Sequence, residues 1–190
     1  MAEAADSDES LMRRYAAGDA AAFERLYLRH EMRIWRYLHR HTGNRATADE
    51  LMQEVWFAVA RDAPRYMPTA RFTTWLFSIA HHRMIDAGRV SGRSMSLDEL
   101  GHEAEAVVGQ LTASPSAGPL AAAVVQDQAA ALRRALDRLP AEQREAFLLH
   151  IEGDLGIEEI ATITRSSYET VKSRLRYARS KLRELLEDHA

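Results

Sequence analysis

Ile157-Glu-Glu-Ile-Ala-Thr-Ile-Thr-Arg-Ser-Ser-Tyr-Glu-Thr-Val-Lys-Ser-Arg-Leu-Arg-Tyr-Ala-Arg-Ser-Lys-Leu-Arg183 decides the fold of this chain. Apolar spacing predicts a short helix over Ile157 to Ile163, and a tight polar connection follows at Thr164 to Ser167. A long helix then runs from about Tyr168 to Glu187. On it, Val171, Leu175, Ala178 and Leu182 step along one stripe that can face partner helices. Lys172, Arg176, Arg179 and Arg183 lie together on a different face, flanked by Ser173 and Tyr177. A short helix, a tight turn and a longer basic helix are the parts of a helix-turn-helix, whose second helix offers its first turns to a major groove. The rival reading is a solvated helix with charge pairs one turn apart, but acidic partners are scarce on it before Glu184.

Charge is segregated around this segment. The chain of 190 residues has a formal charge of −3, which argues against a generally basic nucleic-acid coat. Residues 165–183 nevertheless carry seven bases against Glu169, whereas 142–159 carry six acids against Arg144. Residues 91–129 hold one base and five acids. A strongly cationic end behind an acidic middle is a nucleic-acid footprint.

Upstream, helical periodicity returns from about Gln126 through Leu132, Leu136 and Leu139, and Pro140 breaks it. A further helix is expected over Glu142 to Ile151, closing at Gly153. Nearer the N-terminus, Asp19 is a good helix cap, and Phe23, Leu26, Tyr27, Ile34 and Leu38 share a stripe that Gly43 and Asn44 end. Thr47-Ala-Asp-Glu50 reads as a capping box opening a second helix with Leu51, Val55 and Val59. Pro64 and Pro68 make residues 62–70 a loop. A third helix is expected over roughly Thr73 to Ala87, with Gly88 just past its end. Between these halves, Ser91 to Ser96 and Thr112 to Pro119 are small and turn-prone, so 91–127 reads as a flexible linker with at most a short helix near 97–108. No strand pattern is present. The expected architecture is all-α: two small helical domains, residues 1–90 and 128–190, joined by that linker.

Composition removes several functions. No cysteine is present, which excludes disulfides, thiol nucleophiles and cysteine-ligated zinc. There is no apolar run long enough to span a bilayer, and the acidic N-terminus is unlike a secretory signal, so a cytoplasmic protein is expected. Neighbouring helical residues point about 100° apart, so His39 with His41, or His81 with His82, make poor chelates and read as surface histidines. No phosphate loop, nucleophile elbow or catalytic triad spacing appears, and neither metal, cofactor nor enzymatic activity is expected.

Leu139-Pro-Ala-Glu-Gln-Arg-Glu-Ala-Phe-Leu-Leu149, Glu158-Glu-Ile-Ala161, Glu169-Thr-Val-Lys-Ser-Arg-Leu175 and Ala178-Arg-Ser-Lys-Leu-Arg183 closely resemble the DNA-binding domain of bacterial sigma factors. The resemblance is to the two-domain, extracytoplasmic-function group. Ala48-Asp-Glu-Leu-Met-Gln-Glu-Val-Trp56 resembles that family's polymerase-binding helix, and Phe72 to Asp86 resembles its promoter-melting helix. The likeness covers roughly residues 10–90 and 128–187.

The resemblance implies the following roles. Asp49, Gln53 and Glu54 dock on the clamp helices of core RNA polymerase, where an acidic patch complements a basic coiled coil. Arg65, Tyr66 and Met67 in the loop, with Thr74, Ser78, His82 and Arg83 on the helix, capture unpaired bases of the −10 element by stacking and pocket contacts. Trp75 is expected in the core with one edge exposed. Lys172, Ser173, Arg176 and Tyr177 read the −35 element, and Thr170, Arg174 and Arg179 contact its phosphates. The partners implied are core polymerase, promoter DNA and an anti-sigma protein or other external regulator. Two departures stand out: Arg165 lies in a turn where the family commonly has Gly, and His82 stands where Asn is frequent. Outside the resemblance, a stand-alone dimeric helix-turn-helix regulator is the alternative reading.

Overall fold

The computed structural model describes residues 6–90 and 119–187, and among them every regular element is helical. The first domain holds α1 (Asp8–Ala16), α2 (Ala20–Thr42), α3 (Arg45–Asp62), a 3₁₀ turn (Ala63–Arg65) and α4 (Phe72–Val90). Asp19 caps α2 as its sequence suggests, accepting from the amides of Ala21 at 3.1 Å and Ala22 at 3.3 Å. Gly43, at φ 64°, ends that helix with its amide on the His39 carbonyl, a left-handed conformation that glycine adopts without a Cβ penalty.

Three expected boundaries move. The cap of α3 is Asn44, whose side chain accepts from the Thr47 amide at 3.0 Å, so the helix starts ahead of the Thr47–Glu50 box. α4 continues through Gly88 to Val90 instead of stopping before it. α1 was not anticipated at all. It matters because Glu9 on α1 reaches the start of α4 and accepts from the Phe72 amide at 2.8 Å. The core of this domain gathers Leu11 and Met12 from α1, Leu26, Ile34 and Leu38 from α2, Val55 and Val59 from α3, and Phe72, Leu76 and Phe77 at and after the start of α4.

The second domain is α5 (Pro119–Asp137), α6 (Ala141–Gly153), α7 (Ile157–Thr164) and α8 (Tyr168–Glu187). α5 begins at Pro119 rather than near Gln126, so the last part of the segment read as linker is helical. The short helix expected near 97–108 lies outside the described residues. Leu136, Leu148, Leu149, Ile160, Val171 and Leu175 are buried here. α6 packs against α2 and α4, and α7 packs against α4, so the two halves touch.

Candidate nucleic-acid interface

α8 starts on Ser167, whose hydroxyl accepts from the Thr170 amide at 3.1 Å. Its buried side is Val171, Leu175, Ala178, Leu182 and Leu185, the expected stripe extended by one turn. The opposite side is open: Thr170, Lys172, Arg176, Tyr177 and Arg179 are exposed, while Ser173 and Arg174 are half-buried. The Arg176 guanidinium lies 4.9 Å over the Tyr177 ring. Arg174 donates to the Ser166 hydroxyl at 2.9 Å and so ties the helix to the turn before it. Arg179 contacts His150 Nε2 at 2.7 Å. The other ring nitrogen, Nδ1, lies 2.9 Å from the Leu155 carbonyl. A carbonyl only accepts, so Nδ1 carries the proton and Nε2 accepts from Arg179. The Lys172–Glu169 pair is fully at the surface, 3.4 Å long, and such pairs yield readily to a stronger anion. In the turn itself Arg165 takes the left-handed conformation, φ 52° and ψ 40°. The Ser166 amide closes the helix end on the Ala161 carbonyl at 3.0 Å.

The groups expected at the −10 element divide into two sets. Arg65 and His82 are exposed, Met67 is 72% exposed, and Arg83 is partly exposed. Tyr66 is half-buried with its ring 5.0 Å from Trp75 and 6.2 Å from Phe72. Burial pushes its hydroxyl up to about 12, with Glu9 and Asp8 adding in the same direction. Trp75 is half-buried on Phe72, as expected of a core residue with one open edge. Thr74 is not open to a ligand in this arrangement, whereas Ser78 is half-buried. Thr74 is 8% exposed and its hydroxyl donates to Glu159 of α7. Ser78 donates to the Trp75 carbonyl at 2.7 Å. The second domain covers this part of α4, a contact that local sequence spacing does not encode.

On α3, Gln53 and Glu54 are exposed. Asp49 is more engaged than a simple solvent-facing acid: its carboxylate accepts from Trp35 Nε1 at 2.7 Å and lies 3.6 Å from Arg45. Asp49 and Gln53 line a groove of about 590 Å³ whose floor and walls are Tyr15, Phe23, Tyr27, Met52, Trp56 and Phe57. Phe57, one turn beyond Gln53, is 77% exposed. Sequence reasoning missed it, although an aromatic residue off the Leu51–Val55–Val59 stripe was a signal that could have found it. A fixed acid beside an open aromatic groove suits a partner helix offering both a cation and an apolar side chain.

The histidines need correcting. His39, His41 and His81 are buried rather than at the surface, and only His82 of the two suspected pairs is exposed. His41 is held near 3 by burial, with Arg144 and His81 opposing its charge further. No cluster of three or more possible metal ligands occurs among the described residues. None of their helices is long and apolar enough to cross a membrane.

Comparisons with known proteins match both domains. Residues 26–94 match Sigma-70 region 2, and residues 129–182 match Sigma-70, region 4. The chain is 33% identical over 179 residues to the RNA polymerase sigma factor CarQ of Myxococcus xanthus, spanning 92% of this chain and 95% of that one. It is also 33% identical over 181 residues to the ECF RNA polymerase sigma factor SigE of Mycolicibacterium smegmatis, spanning 92% of this chain and 66% of SigE. Its fold is similar to that of the sigma factor RpoE, solved in complex with the anti-sigma factor NepR from Bartonella quintana. There the TM-score is 0.66 at 23% identity, covering 87% of this chain and 96% of that one. With both regions present in this order, and one relative matched over nearly its whole length, the chain belongs to the extracytoplasmic-function group of RNA polymerase sigma factors.

Proposed function

We propose that this sigma factor, which directs transcription initiation at promoters, divides its work between its two domains. Asp49, Gln53 and Glu54, with the Phe57 groove, dock on core RNA polymerase. Arg65, Tyr66, Met67, Thr74, Ser78, His82 and Arg83 capture the −10 element as a single strand. Lys172, Ser173, Arg176 and Tyr177 read the −35 element while Thr170, Arg174 and Arg179 hold its phosphates. The division of the chain into residues 1–90, 91–127 and 128–190 follows from this assignment. The polymerase performs the chemistry, so the chain is a cytoplasmic, non-enzymatic specificity subunit. Its regulator is an external protein of the anti-sigma kind, as in the RpoE complex.

The observation that carries the reading is the α8 face: Lys172, Arg176, Tyr177 and Arg179 stand exposed on a helix whose opposite side is packed. The test is transcription by core polymerase and the purified chain on a promoter library. Specific transcripts are expected, and their absence, or tight operator binding by a homodimer without polymerase, overturns the reading. Arg176→Ala should lower initiation at the selected promoter by about 5-fold to about 150-fold, the equivalent of about 1–3 kcal/mol, with polymerase affinity unchanged. Reversing charge at Asp49 and Glu54 should weaken polymerase binding and leave duplex binding by α8 untouched.

A further inference from the structure

The acid-rich stretch 142–159 is turned onto the first domain. Glu152, near the end of α6, is 3% exposed and lies against a row of arginines on α2. Arg36 donates to one carboxylate oxygen at 2.8 Å, Arg40 stands 2.7 Å from the other, and Arg33 donates to the Glu152 carbonyl at 2.7 Å. A carboxylate taken out of water is tolerated only where such partners surround it. Where α4 begins, Arg71 donates to the Asp154 carbonyl at 3.1 Å and lies 3.6 Å from Glu159. The other oxygen of Glu159 accepts from Thr74. Between these two points Gly153 is buried: an added Cβ would meet the Leu155 side chain at 2.8 Å and reach ordinary contact with the Phe77 ring at 3.4 Å.

This closed arrangement conflicts with promoter binding. Elements at −10 and −35 lie about 25 base pairs apart, or about 85 Å of duplex at about 3.4 Å per pair, which two touching domains cannot straddle. The closed chain leaves α8, the α3 groove and Arg65, Met67 and His82 open, covers Thr74, and engages the still-exposed Arg71. We propose that the second domain is the resident occupant of one part of the first domain's DNA-facing surface, the start of α4 around Thr74. Glu152 on the Arg33–Arg36–Arg40 row holds the chain shut, and Glu159 takes the place on Thr74 that the displaced promoter strand must take. The carboxylates act as stand-ins for phosphate, so the chain restrains itself before any external regulator binds. The masking half of this inference rests on the −10 role given to that face above; the clasp itself does not.

The full-length chain tests both halves separately. Because it lacks cysteine, Ala21→Cys and Ser180→Cys place one label on each domain at exposed positions. In the free protein a single short distance is expected, and Glu152→Gln with Glu159→Gln should convert it to a broad, longer distribution. Gln at 159 preserves the capping contact with the Gly156 amide, now made by Glu159 at 2.8 Å. Binding to a random-sequence single-stranded DNA pool should tighten about tenfold if the open fraction rises from about 5% to about 50%. The control Glu142→Gln with Glu158→Gln removes the same charge from exposed sites, and there affinity should stay within about twofold. If the glutamine pair at the clasp unfolds the chain, Arg36→Gln with Arg40→Gln breaks the same contact from the other side. A broad distance distribution in the unmodified protein, or one indifferent to both sets of variants, overturns the clasp. Opening without a gain in DNA affinity over the control overturns the masking. Failure of promoter-directed transcription with core polymerase, with the clasp intact, overturns the proposed function and with it the masking, and leaves the clasp standing.

Discussion

Arg165 shows what a single residue can reveal before and after the fold is known. Its position in the turn was legible as a departure from the family's Gly, and the structure places it at φ 52°. A residue with a Cβ pays about 1–2 kcal/mol in that region, and glycine's greater freedom in the unfolded chain returns part of the gain. Arg165→Gly should therefore raise unfolding free energy by about 0.5–1 kcal/mol, measured by denaturant titration. The histidines were illegible at the same scale. Periodicity cannot tell that His41 and His81 face residues of another domain, because burial there is decided by residues far along the chain, Arg144 for His41 and Glu145 for His81. The cover over Thr74 was illegible for the same reason, its partner Glu159 lying in the other domain.

At the level of the element, α8 was legible to its ends because stripe, cationic face and capping serine all agree. α1 was not, since its stripe is short, Leu11 and Met12 buried and Tyr15 one turn on only half-buried against Phe23. Nor was the start of α3, where Asn44 competes successfully with Thr47 for the cap. The overlooked α1 fixes the entry of α4 through Glu9, whose carboxylate accepts from the Phe72 amide. That bond holds the Glu9 carboxyl below its ordinary value. Its contribution is thus full above the normal glutamate range and is lost as pH falls through the lowered value. Glu9→Ala should cost about 1 kcal/mol, as loss of a helix cap does. Hydrogen exchange should show the first turn of α4 fraying while α8 is unchanged.

For the whole molecule, the seam between domains is both a restraint and an acid-sensitive joint. His41 lies in that seam with its ring 4.7 Å from Tyr37, and burial holds it near 3. The unfolded chain takes up a proton at this residue below about 6.5, whereas the folded chain does not until far lower pH, so acid favours unfolding. Between about pH 7.5 and about pH 5.5 this ring accounts for about 1.4 kcal/mol of lost stability. His41→Leu should shrink the acid loss by that amount in paired denaturant titrations. His39, lowered chiefly by burial, adds a smaller slope of the same sign.

Residues 142–159 and 165–183 put opposite charges on two sides of one domain of modest size. On the roles proposed for α8 and for Glu152, transplanting α5 to α8 between relatives therefore moves two traits at once: the promoter a chimera prefers and the strength with which it silences itself. The traits are nonetheless separable by mutation, because Arg176 and Tyr177 take no part in gripping α2, and Glu152 lies off the duplex-facing surface. A lineage can retune its regulon without altering its idle state, or loosen the idle state without changing its targets.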